Sequence, residues 1–472
     1  VTTATATATA LVATATTERL SALDMAFWSL ESVSAPMHLG ALLRFGPGGT
    51  ASTDELAALI AERAALSPRL RQRVAVPWNP LEPPHWRDDP AFDGHRHVHL
   101  HRPAPGCSLA ETTAELMAAP LRRELPPWEA HVLLSSPTAG PEEGFALLLK
   151  LHHAAVDGLR AVELGVRLLD RLPRQRRPPA AEPAAVPAGP GPGAGSLGRL
   201  LRAAPTAVAD VRRRLRAAGV AGDVAAAVAT TGLTDVLRRT RSPLRSGPAD
   251  TARRVVALPV LELAALQKVR RSHGGTLHDV VLAVLAGALR RWFLGLGHDP
   301  ARRTSRVLVP VSARTRAGRT ETGNQLSGYL VDLPLAEPDP LIRLLRVREA
   351  MGAHKERGAD RGPGAVATLS ELLPPGCHRF TGPVLRPTAP LLFDALVTDV
   401  PLPGLPFRLA GAPLTALHPL APLAQGHTVA VAVSRYRDRV FVGLHGAADE
   451  LTDPRRISGA MSAELAELVR HS

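Results

Sequence analysis

The chain has 472 residues, 45% of them hydrophobic, which exceeds the usual size of one core and supplies enough apolar side chains for two. A formal charge of +13 at pH 7 favours anionic partners, among them nucleic acid, an anionic membrane surface and phosphate-bearing small molecules, and charge does not rank them. Nucleic acid is not indicated, because zinc-finger spacing, an aromatic RNA-binding signature and a long basic tract are all missing. Cys107 and Cys377 support neither a disulfide framework nor a metal cluster.

Residues 1–19 begin with Thr/Ala repetition, carry no basic residue before Arg19 and lack a long apolar core. They read as a disordered tail rather than a signal peptide, so a cytoplasmic, non-secreted protein is expected. Residues 37–45 read as a strand. Ser52 and Glu55 stand at capping-box spacing and open a helix whose Leu56, Leu59 and Ile60 share a face. His95, His97, His99 and His101 alternate as on one face of a strand. Arg96 and Arg102 beside them, with no thiolate help, make this a solvated stripe rather than a metal site. Ser108 and Glu111 repeat the capping box before a helix over 109–117, and 145–151 is a second strand. Together these give an α/β first domain over 20–175.

Residues 176–197 are Pro/Gly-rich and read as an exposed linker; linking helices over 198–233 lead to a second domain, the whole spanning 198–472. Ordered structure resumes at 255–260. Thr276 and Asp279 make a third capping box. The apolar run 280–289 that follows is too short to span a membrane and reads as a buried helix. Strands are expected at 306–312 and 329–333, with Gly323-Asn324 in the polar loop between them. A hairpin over 428–436 and 440–444 turns at an Arg-Asp pair. Asp453-Pro454 opens a C-terminal helix, with Pro454 at its first position.

The most informative stretch is 147–158, where an apolar strand runs into His152-His153-Ala154-Ala155-Val156-Asp157-Gly158. Successive strand side chains point to opposite faces, so one histidine faces outward while the other packs inside. Histidine suits proton transfer near neutral pH. Asp157-Gly158 suits a tight turn, and Asp157 can cap the helix marked by Leu159, Val162, Val166 and Leu169. A pair of packed histidines with a capping aspartate is the bland alternative. No G-x-S-x-G elbow or Walker loop occurs, and Cys377 beside His378 establishes no dyad.

His152-His153-Ala154-Ala155-Val156-Asp157-Gly158 resembles the HHxxxDG signature of CoA-dependent acyltransferases and condensation domains. Its surroundings resemble the bacterial wax ester synthase/diacylglycerol acyltransferase family: Leu20-Ser21-Ala22-Leu23-Asp24 with Phe27, Pro36-Met37-His38-Leu39-Gly40, Pro120-Leu121 with Arg123, and Pro127-Trp128-Glu129. The order continues through Thr276-Leu277-His278-Asp279-Val280-Val281, Pro310-Val311-Ser312, Gly323-Asn324, Val331-Asp332-Leu333-Pro334, Val397-Thr398-Asp399-Val400-Pro401 and His418-Pro419-Leu420.

The resemblance implies an α/β fold of two chloramphenicol-acetyltransferase-like domains with a substrate tunnel between them. It implies acyl-CoA as co-substrate, with no bound cofactor or metal, and a long-chain alcohol or diacylglycerol as acceptor. Its general base falls on His153. His152 is then the supporting neighbour, and Asp157 and Gly158 hold the motif's architecture. Asn324, His278 and Asp399 are candidate contacts to substrate or to the developing oxyanion, together with backbone donors near the histidine loop. The chain departs from the family's pattern by carrying His278 and Asp399 where asparagines are usual. That keeps open a polar small-molecule alcohol or amine as acceptor, in specialised metabolism. A carrier-protein thioester as donor, peripheral association with the inner membrane or lipid inclusions, and a non-catalytic scaffold are the remaining alternatives.

Overall fold

The computed structural model describes residues 18–79, 82–102, 106–134, 143–170, 244, 253–302, 305–312, 326–357, 393–448 and 453–472. The expected tail, linker and 198–233 helices, the Gly323-Asn324 loop and Cys377-His378 lie outside them.

Two large sheets carry the architecture. The first is six-stranded, in the order Arg408–Leu409, Ala412–Leu420, His38–Phe45, Phe145–His152, Trp128–Leu134, Val98–His101. Its central strand, Phe145–His152, is buried along its whole length. An almost continuous apolar run allows this because both faces are covered. On one face Phe145, Leu147, Leu149 and Leu151 join Leu56 and Ile60 of helix Thr53–Ala65 and Leu164 and Leu168 of helix Gly158–Leu168. On the other, Leu42, Ala146 and Leu148 meet Ala114 and Met117 of helix Leu109–Ala118, with Val256 and Leu420.

The second sheet has seven strands. Six run in the order Leu326–Leu333, Ser305–Ser312, Ala395–Asp399, Val429–Tyr436, Arg439–Ala448, Arg253–Ala257, and Val260–Glu262 also pairs with Arg439–Ala448. Helix Leu277–Gly295 is buried at every position from Asp279 to Leu289, so it reads as apolar all round rather than striped. It packs beside helices Leu263–His273, Pro340–Arg357 and Arg455–Arg470. Glu464, buried in that layer, pairs with Arg343 and with Arg291 at 3.2 Å. Gly287 leaves it room, since a Cβ there would overlap the Glu464 carboxyl group. A small third sheet joins Glu18–Arg19, His85–Asp88 and Gln72–Ala75.

The capping boxes at Ser52, Ser108 and Thr276 all form. The Val429–Tyr436/Arg439–Ala448 hairpin also forms, with Arg437 at φ 54° in its turn. The C-terminal helix starts at Arg455, with Pro454 one position earlier, at its cap.

Two features depart from the sequence reading. Ala412–Leu420, grouped there with the second domain, instead pairs antiparallel with His38–Phe45 in the first sheet. Where the two sheets meet, the backbones nearly touch. A Cβ on Gly443 would lie 1.8 Å from the Pro419 carbonyl oxygen, so only glycine fits. His418 donates from Nδ1 to the Val442 carbonyl at 2.9 Å, and His445 likewise to Ala421 at 2.9 Å, fastening strand to strand.

The histidine stripe is the other correction, because it is not one strand and of its four rings only His95, in the turn before the strand, is exposed. His97 ends a 3-10 turn, Gly94–His97, and is buried, stacked on Trp128 at 4.6 Å and bonded to its carbonyl. His99 and His101 lie in the Val98–His101 strand and pack on His131 of the neighbouring strand. From there contacts run His101 to His131 at 2.9 Å, His131 to Glu129 at 3.2 Å and Lys150 to Glu129 at 3.2 Å. The neighbouring strand supplies the partners that alternation alone cannot reveal.

Candidate active site

The two histidines sit where three backbone segments converge. His38 and His152 face each other as partners in the antiparallel ladder. The His152 N–H donates to the Pro127 carbonyl at 3.0 Å, and the His153 N–H to that of Met37 at 2.8 Å. Strand pairing on both sides thus holds the reactive end of Phe145–His152.

Their rings go separate ways. His153 stacks on Phe27 at 3.9 Å, nearly parallel, while His152 tilts against Trp28 at 5.0 Å. Both aromatics lie on helix Ala22–Leu30, opened by a capping box between Ser21 and Asp24. Just past that helix Glu31 is buried beneath the pair, its Oε1 3.5 Å from His152 Nε2. Glu31 also accepts from the Met37 N–H at 3.3 Å and from Arg123 Nε at 3.1 Å. Arg123 in turn lies over the Trp28 ring at 4.7 Å. His152 Nδ1 accepts the Ala154 N–H at 3.0 Å, which leaves the ring proton on Nε2, toward Glu31.

Burial pushes the Glu31 carboxyl upward, but His152, Arg123 and the Met37 N–H outweigh it and bring it to about 2. Burial is also the main influence on His153 and lowers it to about 4, against the opposing pull of Asp157. The His153 imidazole is therefore neutral at pH 7, in the form that accepts a proton. Asp157 caps helix Gly158–Leu168, its Oδ1 accepting from the Arg160 N–H at 2.8 Å. The loop's own amides at Ala154 and Ala155 are engaged by His152, so neither is a spare donor for an oxyanion.

His278 and Asp399 lie in a second group. His278 is the second residue of helix Leu277–Gly295, and Asp399 ends strand Ala395–Asp399. Their Nδ1 and Oδ2 are 3.8 Å apart, at a cavity of about 290 Å³. The groups adjoin through Val400: a Cβ on Gly158 would lie 3.9 Å from its Cγ2. Asp279 serves the capping box, accepting from the Thr276 N–H at 2.7 Å. Asn324 lies outside the described residues.

Sequence reasoning missed Trp28 and Glu31 and gave Phe27 and Arg123 no task. The available signal is an aromatic pair closing a capped helix, followed by a lone acid seven residues before His38. Among the described residues, no group of three or more His, Cys, Asp or Glu side chains is arranged to hold a metal. No described helix is long and apolar enough to cross a membrane.

Comparison with known proteins gives these features their context. The wax ester synthase/diacylglycerol acyltransferase catalytic domain matches residues 20–281, and the WS/DGAT C-terminal domain matches 322–469. The chain belongs to the wax ester synthase/diacylglycerol acyltransferase family. It is an acyltransferase. A probable diacylglycerol O-acyltransferase, tgs1, of Mycobacterium tuberculosis is 28% identical over 461 residues, covering 95% of both chains. The wax ester synthase/diacylglycerol acyltransferase from Marinobacter aquaeolei VT8 shares the fold with a TM-score of 0.66 at 23% identity, over 96% of this chain and 99% of that one. The trichothecene 15-O-acetyltransferase TRI3 of Fusarium sporotrichioides also shares it, with a TM-score of 0.62 at 11% identity over 96% and 95%. The fold is thus the two-part α/β arrangement of chloramphenicol-acetyltransferase-like enzymes, as the family resemblance implied.

Proposed function

We propose that this protein transfers the acyl group of an acyl-CoA to the hydroxyl of a long-chain alcohol or diacylglycerol, forming wax ester or triacylglycerol, with His153 as general base. The observation that carries this reading is the buried His153 ring just past the end of Phe145–His152, stacked on Phe27. His153 takes the hydroxyl proton as the alcohol oxygen attacks the thioester carbonyl carbon. The tetrahedral intermediate then collapses, the C–S bond breaks, and the imidazolium returns the proton to the departing thiolate. Direct attack by the acceptor requires no acyl-enzyme on serine or cysteine.

The other residues position this base. Asp157 and Gly158 form the turn and helix start that hold its loop. His152 is locked by Ala154 and Glu31 and steadies the strand end from within. His278 and Asp399 contact the acceptor, and Asn324 is kept as a candidate donor to the oxyanion. The two halves of the molecule flank a tunnel for the acyl chains. The net positive charge draws the protein to coenzyme A phosphates and to anionic lipid surfaces.

Purified protein incubated with a panel of acyl-CoAs and alcohols should release free thiol and yield ester detectable by mass spectrometry. His153→Ala should lower kcat by about 10²–10⁴-fold with the melting temperature nearly unchanged. Activity within twofold of wild type across a pH series removes His153 from the mechanism. Turnover with a carrier-protein thioester but not with acyl-CoA reassigns the donor. Metal-chelated protein should remain active; loss of turnover with a stoichiometric metal contradicts the metal-free reaction.

A further inference from the structure

Outside the histidine loop, two ionisable side chains meet at a cavity that the proton transfer itself leaves unused. Leu277, Val281 and Val433 give the cavity apolar lining, and His278, Asp399 and Arg435 give it a polar side. At about 290 Å³ it lies near the lower end of small-molecule sites, enough for a polar head and a short stretch of chain. Val400, between the lining residues Asp399 and Pro401, lies against Gly158 in the turn after His153, where a Cβ would come within 3.9 Å of its Cγ2.

We infer that the His278–Asp399 pair is a hydroxyl-recognition subsite that selects acceptor alcohols carrying a second, uncharged hydroxyl near the reacting one. This rests on the reading of the chain as an acyl-CoA:alcohol acyltransferase. Three observations carry it.

The gap comes first. His278 Nδ1 and Asp399 Oδ2 are 3.8 Å apart, too far for a direct hydrogen bond. One hydroxyl oxygen about 2.8 Å from each atom would bridge them, as the apex of a triangle on that base. Hydrogen-bonding capacity comes second. His278 Nε2 is buried and has no hydrogen-bond partner among the described residues. With no acceptor to hold a proton on Nε2, the ring proton sits on Nδ1, so a hydroxyl in the gap can accept from the Nδ1–H while it donates to the Asp399 carboxylate. Burial holds the His278 pKa below its ordinary value despite Asp399, so at neutral pH the ring keeps one donor and one acceptor.

The charge balance comes third. The Asp399 carboxylate lies within the field of Arg435, and His278 feels Lys355. Around the ring the two cations Arg435 and Lys355 stand against the two carboxylates Asp399 and Asp279, so the formal charge is even and gives an incoming ammonium group no net attraction. A neutral hydroxyl gains hydrogen bonds without upsetting that balance. Sites built to hydrogen-bond a hydroxyl reject analogues lacking it far more sharply than apolar pockets reject a missing methylene.

The test compares 1-decanol, decane-1,2-diol and 1-aminodecan-2-ol as acceptors with one acyl-CoA. Wild type should favour the diol over 1-decanol by about tenfold or more in kcat/KM. His278→Leu and Asp399→Leu, which remove the hydrogen-bonding atoms at similar bulk, should each bring that ratio near one, mainly through a higher KM for the diol. The double variant should add little, because either change removes the bridge. Equal use of diol and 1-decanol by wild type overturns the inference, as does a preference that survives in both single variants. A preference for the amino alcohol overturns the uncharged-hydroxyl assignment. Ester from none of the three sinks the acyl-transfer reading instead. Equilibrium dialysis of 1-decanol and the diol then decides the subsite separately. Tighter retention of the diol by wild type, lost in either variant, supports it, and equal retention rejects it.

Discussion

Two histidine–carboxylate pairs occupy neighbouring parts of this molecule, and their fates are opposite. His152 and Glu31 approach to 3.5 Å with side chains 1% and 4% exposed. His278 and Asp399 approach to 3.8 Å with side chains 16% and 51% exposed. The separations barely differ. What differs is the company each carboxylate keeps. Glu31 collects a backbone N–H and a guanidinium besides its histidine, and its pKa falls to about 2. Asp399 takes no hydrogen bond from a described residue; burial pushes its pKa up, only partly opposed by His278 and Arg435. The first pair is locked into the protein. The second retains capacity for something else.

The largest expected contrast is in stability. Glu31→Ala leaves the buried His152 and the half-exposed Arg123 without their common acceptor and should cost about 1–3 kcal/mol in urea unfolding. Asp399→Ala, at a half-exposed pair, should stay within about 1 kcal/mol. Similar losses at both positions would erase the distinction between a locked and an available pair.

Acid sharpens it next. His101, His153 and His445 are each lowered to about 4, burial being the main cause. Between pH 6.5 and 4 the unfolded chain therefore binds more protons than the folded one, and stability falls as the pH drops through that window. Glu31 and Glu129 sit near 2, so their contribution is intact above about pH 4.5 and is lost as the pH falls toward 2. Urea midpoints at pH 7, 5.5 and 4 should decline in steps; a flat series contradicts the burial of these rings. In kcat/KM the acid limb should centre near pH 4, provided the protein is still folded there. A midpoint at 6.5 would mean that His153 is solvated.

Asp157→Ala comes lower, at about 0.5–2 kcal/mol for a lost cap, with reduced activity because the cap holds the loop of His153. A changed pH profile at unchanged stability would assign Asp157 a direct electrostatic task instead. The smallest effect belongs to His278→Gln, whose melting temperature should stay within about 2 °C of wild type. A larger drop would make His278 a structural residue like His152.

What the sequence made legible was local. Strand, histidine pair, turn and helix at 145–168 are written in consecutive residues, and each capping box needs only a Ser or Thr and an acid three positions on. Glu31 was not legible, because its partners His152 and Arg123 are distant along the chain and no spacing rule links them. The histidine stripe failed for the same reason, since His131 and Trp128 come from a neighbouring strand. His278 and Asp399 were each visible as single departures from a family pattern. That they face each other was not.

The strand Ala412–Leu420 has a consequence for how the chain is made. It is inserted between Arg408–Leu409 and His38–Phe45, so the sheet bearing the histidine pair begins near residue 38 and is completed only by residues beyond 400. A ribosome releases the N-terminal half long before that strand exists. Until then one edge of His38–Phe45 presents unpaired backbone groups, an invitation to the wrong neighbour. The first of the two large sheets to be synthesised is thus among the last to close, and a nascent chain stalled before residue 412 should depend on chaperones even though its whole reactive loop has already been translated.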